Sequence, residues 1–517
     1  MVHSNILLSS LTILSSALTL TSSAKEKTRP NILFIMSDDH DSKAISAYGS
    51  GLNKTPNIDR IAQEGMLFRN CFVTNSISGP SRAAIMTGKF SHKNGFYDNS
   101  AGVEFDGAQQ TFPKLLQSAG YQTAIIGKWH LGSTPTGFNY YSIHIGQGTY
   151  YSPEFLEPHG KKKYTGAYAT DITLENSIKW LSKADKSKPF CLMMQFKAPH
   201  RNWMPAVDKM AMYEDHSFPV PANFFDEYEG RRAAKEQKMS IEKSMNLGGD
   251  LKLFGYKNSE MGETLDNELN RMTTAQRAVF DKVYLPIKDK FESAKLTGKE
   301  LTLWKYQRYM RDYMKCISSV DDNVGKMIDY LKVNGLWENT IVVYTSDQGF
   351  YLGEHGWFDK RFMYEESFHT PLIISYPKMI KKGTETKTLA QNIDYASTLL
   401  DFAGVKIPND IQGESLKPIL CQTKQKVRNA LYYHYYEFPQ PHAVKRHYGI
   451  RTDLYKLIHF YDNIDEWELY DLKNDPTEMK NQINNPLFAK IKQRLMFDLL
   501  KLQKKYDDTK PTKNYLK

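Results

Sequence analysis

The sequence predicts an α/β fold in which a mostly parallel sheet carries helices on both faces, followed by a small antiparallel sheet. Short apolar runs at residues 31–36, 121–126, 189–196 and 340–345 are each typical of a buried parallel strand. Helical patterns separate these runs, and such alternation favours parallel pairing. The length of 517 residues exceeds what one small core can organise, so we expect a large domain and a smaller one.

The helices predicted between these strands begin at proline and end near glycine, as helices commonly do. Pro56 and Gly65 bracket the first helix, and Pro113 and Gly120 bracket another, because proline suits a first helical turn and glycine suits a helix end. One more strand-like run completes the sheet at residues 66–73. The other helices are predicted to start at 82–86 and to cover 171–186, 301–334 and 394–404.

Two later stretches depart from this alternation. Residues 203–299 are rich in Lys, Glu and Met and carry no catalytic pattern, so we expect an insertion of loops and short helices beside the substrate cleft. Beyond about residue 425 the pattern becomes antiparallel. Strands are predicted at 430–438, 448–452, 455–460 and 467–472, with a helix at 489–504. The chain thus divides into a catalytic domain at 28–424 and a C-terminal subdomain at 425–517.

The N-terminal 24 residues are typical of a signal peptide. Residues 6–20 are apolar, and the small residues at 22–24 suit cleavage before Lys25, although no Lys or Arg precedes the apolar run. This run is too short and too polar for a membrane span, so we expect a secreted or periplasmic protein without stable membrane insertion. Cys71 and Cys191 lie in apolar runs and are predicted to be buried thiols.

The net charge of +10 indicates an affinity for anionic substrates. Nucleic acid is also anionic, but the sequence contains no Gly-aromatic RNA motif, zinc finger or basic helix, so we expect no nucleic-acid partner. Solvated surface lysines explain most of the charge.

Acidic side chains follow two of the predicted parallel strands. Asp38 and Asp39 come directly after 31–36, and Asp347 and Gln348 come after 340–345. Open α/β sheets place their sites at the carboxyl ends of the strands. Adjacent carboxylates repel unless a cation neutralises them, and oxygen ligands suit Ca²⁺ or Mg²⁺. A metal site is one interpretation, and an acidic loop is the other.

Basic residues follow the remaining strands. Lys128 and His130 are two positions apart, so in an extended segment their side chains point the same way. A lysine supplies a positive charge for an anion, and a histidine can carry a proton. His200 follows the strand at 189–196, where its residue type alone is compatible with a loop residue of structural role.

Residues 78–88 read Ser-Gly-Pro-Ser-Arg-Ala-Ala-Ile-Met-Thr-Gly. The hydroxyl of Ser78 is a weak nucleophile that needs activation, and the helix start predicted at 82–86 favours anions at its amide groups. An ordinary Ser/Pro loop before a helix is the alternative. The motif resembles the activation signature of the type I sulfatases, in which Cys or Ser is followed by any residue, Pro, Ser and Arg.

The resemblance extends over nearly the whole chain and implies the alkaline-phosphatase-like sulfatase fold. Seven segments of the chain match segments of the family and occur in the same order. Chance similarity does not account for all seven matches. They are Asp38-Asp39, the motif from Ser78 to Arg82, Lys128 with His130, Pro199-His200, Asp347-Gln348, Lys360, and Leu469-Tyr470-Asp471.

The resemblance also implies a mechanism. A formylglycine-generating maturation enzyme would oxidise Ser78 to an aldehyde, whose hydrate attacks sulfur. One Ca²⁺ per chain would be held by Asp38, Asp39, residue Ser78, Asp347 and Gln348. The implied roles are hydrate stabilisation by Arg82, charge neutralisation by Lys128 and Lys360, protonation of the leaving oxygen by His200, and removal by His130 of the proton that lets the aldehyde re-form.

The implied substrate is a sulfated oligosaccharide. The chain resembles bacterial exo-acting glycan sulfatases, above all the N-acetylglucosamine-6-sulfatase group, which suggests fragments of heparan sulfate, keratan sulfate or mucin glycans. The alternatives are another sugar sulfate, an unmodified glycan-binding pseudoenzyme, or a phosphatase or phosphonate hydrolase of the same superfamily. Residues predicted to line the sugar pocket, or otherwise to form salt bridges and hairpin packing, are Asp359, Arg361, His442, His447 and Arg451.

Overall fold

The computed structural model describes residues 29–256, 265–439 and 441–508, so the predicted signal peptide lies outside the described residues. The strands are β1 (Asn31–Ser37), β2 (Gly65–Phe68), β3 (Cys71–Phe72), β4 (Gln122–Gly127), β5 (Tyr140–His144), β6 (Glu154–Glu157), β7 (Gly160–Lys163), β8 (Phe190–Gln195), β9 (Thr340–Ser346), β10 (Leu372–Ser375), β11 (Thr384–Thr386), β12 (Ala390–Gln391), β13 (Ala430–Tyr435), β14 (His447–Thr452), β15 (Tyr455–Phe460) and β16 (Glu466–Asp471). The α-helices are α1 (Pro56–Gln63), α2 (Ser78–Thr87), α3 (Ser91–Asn94), α4 (Phe112–Ser118), α5 (Ala169–Lys183), α6 (Arg232–Lys235), α7 (Leu265–Leu269), α8 (Thr274–Ala294), α9 (Gly298–Val333), α10 (Glu365–Phe368), α11 (Asp394–Phe402), α12 (Lys417–Leu420) and α13 (Ala489–Tyr506).

A ten-stranded sheet forms the centre of the large domain, with the order β11-β2-β10-β9-β1-β8-β4-β5-β6-β7. Strands β9, β1, β8, β4 and β5 are all parallel, while β10 and the hairpin of β6 and β7 pair antiparallel. The mostly parallel sheet predicted from the sequence is therefore confirmed. Because the central strands share one direction, the loops after β1, β4, β8 and β9 leave at the same edge.

Successive residues of β1 face opposite sides of the sheet and belong to two separate cores. Leu33 and Ile35 contribute to the core under α1, α5 and α9, whereas Phe34 and Met36 contribute to the core under α2, α4 and α11. All residues of this strand are buried, as its continuous apolar run predicts. Cys71 and Cys191 are buried free thiols, as expected.

A four-stranded antiparallel sheet, β13-β14-β15-β16, follows near the C-terminus and confirms the predicted small antiparallel sheet. Helix α13 covers one face of this sheet through Leu495 and Leu499. The other face packs against the segment around Trp357 and Phe362 of the large domain. The small sheet therefore lies against the segment that contains Lys360.

Two predicted elements were wrong in detail. The strand expected at 66–73 is divided between two sheets, because Arg69 and Asn70 leave the large sheet before β3 pairs with β12. The insertion at 203–299 contains the 21-residue helix α8, not only short helices. Within the described part of the chain, no helix has both the length and the apolar character that crossing a membrane requires.

Candidate active site

Three carboxylates and one amide converge where β1 and β9 end. The backbone N–H of Asp39 donates to Asp347 Oδ1 at 3.1 Å, and Gln348 Nε2 donates to Asp39 Oδ1. The side chains of Asp38, Asp39, Asp347 and Gln348 are all buried. Asp39 has a left-handed backbone with φ of 63°, which turns its side chain away from the run of the strand. The two acidic segments predicted from the sequence therefore meet.

The pKa values of these carboxyl groups reflect burial and mutual repulsion. Burial raises the pKa of Asp39 to about 7 against the opposing charge of Lys360, and the charges of Asp38 and Asp347 add to the rise. Burial also raises the pKa of Asp347. For Asp38, burial acts in the same direction, but the charges of Lys128, His200 and Arg82 outweigh it and hold the pKa well below its usual range.

The donor set suits a divalent cation. Asp38, Asp39 and His200 each offer a ligand atom within one 4.8 Å cluster. The Oε1 atom of Gln348 is buried and lacks a hydrogen-bond partner among the described residues, so an amide oxygen is available at the same place. Three carboxylates and an amide oxygen match the preference of hard cations such as Ca²⁺ or Mg²⁺. This is a candidate acidic metal site.

Ser78 is the first residue of α2, and its hydroxyl donates to Asp38 Oδ1 at 3.1 Å. Glycine at the next position allows close packing, because a Cβ on Gly79 would lie 2.5 Å from both Asn99 Oδ1 and the Phe96 ring. One turn along the helix, Arg82 donates to Asp347 Oδ2 from Nε and Nη2 at 3.1 and 3.0 Å. The motif thus joins the metal cluster through two different carboxylates.

Lys128 and His130 reach the same centre from the end of β4. The strand can approach β8 closely because residue 127 is glycine, where a Cβ would lie 1.8 Å from Gln195 O. Lys128 forms an ion pair with Asp38, and burial lowers the lysine pKa to about 8 although Asp38 opposes the shift. Burial, followed by the charge of Lys128, lowers the pKa of His130 well below its usual value.

His200 and Lys360 complete the ring around Asp39. Lys360 Nζ donates to both carboxylate oxygens of Asp39 at 2.6 and 2.7 Å. His200 Nε2 lies 3.9 Å from Asp39 Oδ2, and its Nδ1 is 2.7 Å from the carbonyl of Arg201. Because a carbonyl only accepts, Nδ1 must carry a proton and Nε2 is the nitrogen available to a ligand. Burial, followed by Lys128, lowers the pKa of His200 well below its usual value.

A polar wall borders Lys360 and contains three of the five predicted sugar-binding residues. Arg361 pairs with Asp359 and, through Nε at 3.3 Å, with Glu437. Asp359 also lies 3.1 Å from His442 Nε2. All four side chains are buried at the junction of the large domain and the small sheet. We call Asp359, Arg361, Glu437 and His442 the polar wall.

The structure does not bring the other two predicted sugar-binding residues to this wall, and their contacts agree with the packing role that the sequence left open as the alternative. His447 is fully buried, and its two ring nitrogens contact Met363 N at 3.1 Å and Lys445 O at 2.7 Å. Arg451 pairs with Glu365 at 3.1 Å and covers the ring of Phe72. Both hold the small sheet against the large domain.

Several site residues carry no signal in the sequence. Gln147 contacts both Lys128 and His130, and Gln195 Oε1 accepts from Arg82 Nη1 at 2.7 Å. Glu437 joins the polar wall from the segment after β13. No pattern marks these residues, because long-range packing alone brings them to the site.

The fold, the carboxylate cluster and the Ser78 motif are those of a sulfatase. The family described as Sulfatase matches residues 30–405, and the one described as N-sulphoglucosamine sulphohydrolase, C-terminal, matches residues 353–505. The chain belongs to the sulfatase family and is a sulfuric ester hydrolase.

Two individual sulfatases and one solved structure are similar to this chain over most of its length. An N-acetylglucosamine-6-O-sulfatase of Bacteroides thetaiotaomicron is 53% identical over 511 residues, which cover 96% of this chain and 91% of that protein. An arylsulfatase of Clostridium perfringens is 25% identical over 88% of this chain and 91% of that protein. A solved structure with its substrate D-glucosamine-2-N,6-O-disulfate bound is 52% identical, has a TM-score of 0.90, and covers 94% of this chain and 99% of that chain.

Proposed function

We propose that this enzyme is an exo-acting N-acetylglucosamine-6-O-sulfatase that removes sulfate from terminal sugars of glycosaminoglycan or mucin fragments. The observation that carries the proposal is the 53% identity to a protein with that named activity over 96% of the chain. The similar structure that holds D-glucosamine-2-N,6-O-disulfate supports a 6-O-sulfated glucosamine as the substrate class.

The polar wall supports this choice of substrate. A sulfate on the primary hydroxyl leaves the ring hydroxyls of a terminal sugar free for recognition. Asp359 offers acceptors and Arg361 offers donors, beside the lysine that is bonded to Asp39. A site built to hydrogen-bond ring hydroxyls rejects analogues that lack them, because its buried polar groups are then left without partners.

The reaction centre fits a calcium ion and a formylglycine derived from Ser78. When bound, the ion supplies positive charge for a sulfate oxygen, and the hydrated aldehyde supplies the nucleophile. Asp38, Asp39, Asp347 and Gln348 are the residues that would hold the ion, together with the oxygen of residue 78.

The remaining side chains of the site orient residue 78, neutralise charge on sulfate and donate a proton. Arg82 orients residue 78 through their shared carboxylate neighbours, and Lys128 and Lys360 neutralise charge on sulfate oxygens. His200 Nε2 is the atom that holds the proton for the departing sugar oxygen, since Nδ1 is engaged by Arg201 O. A bound sulfate favours the imidazolium form of His200, which opposes the effect of burial. Such general acids contribute about 10²–10⁴-fold to a rate.

The proposal includes a maturation enzyme that oxidises Ser78 and a secreted or periplasmic location. The Ser-Gly-Pro-Ser-Arg motif supports the first, and the apolar N-terminal run supports the second.

The decisive experiment is a substrate panel on enzyme produced with its maturation system. We expect release of sulfate from 6-O-sulfated N-acetylglucosamine at a non-reducing end, in preference to monosulfated galactose or N-acetylgalactosamine. Preference for a galactose sulfate, or for sulfates inside intact polymers, would overturn the substrate assignment. Phosphate monoesters turned over faster than all sulfate esters would contradict the reaction itself.

A further inference from the structure

Gln147 lies between two side chains of the reaction centre. Its Oε1 accepts a hydrogen bond from Lys128 Nζ at 2.6 Å, and its Nε2 is 2.9 Å from His130 Nε2. Its backbone carbonyl accepts from Lys197 Nζ at 3.1 Å, which ties the segment after β5 to the segment after β8. One half-buried side chain thus contacts both members of the Lys-x-His pair.

The donors and acceptors in this chain of contacts have only one consistent arrangement. A lysine ammonium only donates, so the amide oxygen of Gln147 must face Lys128. The amide nitrogen, which also only donates, then faces His130 Nε2. That ring nitrogen must accept, so in the neutral imidazole the proton resides on Nδ1.

The surroundings of His130 agree with this arrangement. Burial and the charge of Lys128 lower the histidine pKa, which keeps the ring neutral. The Nδ1 atom is buried and has no hydrogen-bond partner in the part of the chain that the structure describes. A buried N–H without a partner is costly, and a ligand oxygen at the reaction centre would satisfy it.

We propose that Gln147 is a positioning residue that fixes His130 as the Nδ1–H tautomer, so that His130 serves the reaction as a hydrogen-bond donor. While the amide of Gln147 is bonded to Nε2, that nitrogen cannot receive a proton. This differs from the role that the family resemblance implies, in which His130 takes the proton that lets the aldehyde re-form. The inference rests on the proposed sulfatase reaction at this centre, but the tautomer is measurable without turnover.

The first test is ¹⁵N NMR of the histidine side chains in the full chain, with the His130 signals assigned by their loss in His130→Gln. We expect Nδ1 to be protonated and Nε2 to be unprotonated. In Gln147→Glu, a carboxylate oxygen replaces the amide donor, so we expect the proton to move to Nε2. An Nε2–H tautomer in the unsubstituted protein would overturn the proposal, whatever the substrate proves to be.

The second test is kinetic. Gln147→Met keeps the length of the side chain and removes both hydrogen bonds, so we expect kcat to fall about 10–100-fold, as for other groups that orient a catalytic ligand. We expect KM and the melting temperature to change little. Gln109→Met is a matched control, because Gln109 is also half-buried and its side-chain amide donates to the backbone carbonyl of Asn94, at 2.9 Å. An unchanged kcat in Gln147→Met would refute the positioning role.

Discussion

Replacing Arg361 by methionine tests whether the polar wall binds the hydroxyls of the terminal sugar. The guanidinium is buried and pairs with Asp359 and Glu437, and Glu437 also accepts from Asn99 N at 3.1 Å. Methionine preserves most of the apolar stem but leaves two buried carboxylates without their shared cation. Removing one partner of a buried ion pair costs about 3–5 kcal/mol of folding free energy. A large folded domain can absorb this loss, so we expect a lower melting temperature and an intact fold.

The effect of Arg361→Met on activity depends on whether the substrate has ring hydroxyls that the polar wall can bind. A hydrogen bond to a charged group contributes about 1.5–3 kcal/mol, which corresponds to about 10–150-fold in kcat/KM. We expect such a loss for 6-O-sulfated N-acetylglucosamine and little loss for an aryl sulfate, which has no ring hydroxyls for the wall to bind. Bound metal should be retained, because the ion pairs of the Arg361 guanidinium within the described residues are to Asp359 and Glu437.

The assay compares both substrates on matured enzyme, with metal content measured on the same samples. Arg60→Met is the control, because Arg60 forms a partly exposed ion pair with Asp329 between α1 and α9. An equal loss on both substrates would show that Arg361 supports the reaction centre and does not read the sugar. Loss of the metal would refute the separation between the wall and the metal cluster.

Three further outcomes are expected. Peptide mass spectrometry of natively matured protein should show the loss of two hydrogen atoms at Ser78, whereas plain serine without turnover would favour a glycan-binding pseudoenzyme. Elemental analysis should find about one calcium per chain, and Asp347→Asn should weaken its binding; two zinc ions per chain would contradict the site. Burial lowers the pKa of His447 to about 3, so protonation favours the unfolded chain. The contribution of His447 to the free energy of unfolding has its full value above about pH 6.5. It falls by about 2 kcal/mol on acidification to pH 5. The melting temperature of His447→Gln should therefore depend less on pH between 7 and 5.

The sequence was sufficient for the central strands and for the residues that follow them. Asp38, Lys128, His200 and Asp347 each follow an apolar run within a few residues, and parallel strands bring their carboxyl ends to one edge. The Ser78 motif was recognisable because its polar members have specific partners, as when Ser78 donates to Asp38 and Arg82 donates to Asp347.

The parts that the sequence did not predict depend on contacts between distant segments. His447 has the chemistry of a sugar ligand, but its place in β14 directs it into the core between the two sheets. Gln147 and Glu437 are ordinary polar residues in loops, and only tertiary packing gives them a role. Left-handed backbone conformations at His130, Asp359 and Arg361 also belong to this group, because the surrounding structure imposes them.

The segment that joins β13 to β14 supplies Glu437 and His442 to the polar wall, whereas every side chain assigned to sulfate chemistry comes from residues before 361. In the function proposed above, sugar recognition and sulfate chemistry are thus partly encoded in separate stretches of the gene. Mutations in the segment between β13 and β14 can replace Glu437 or His442 without changing the carboxylate cluster. An ancestral enzyme of this type would be able to acquire a new sugar preference while it kept its inherited chemistry.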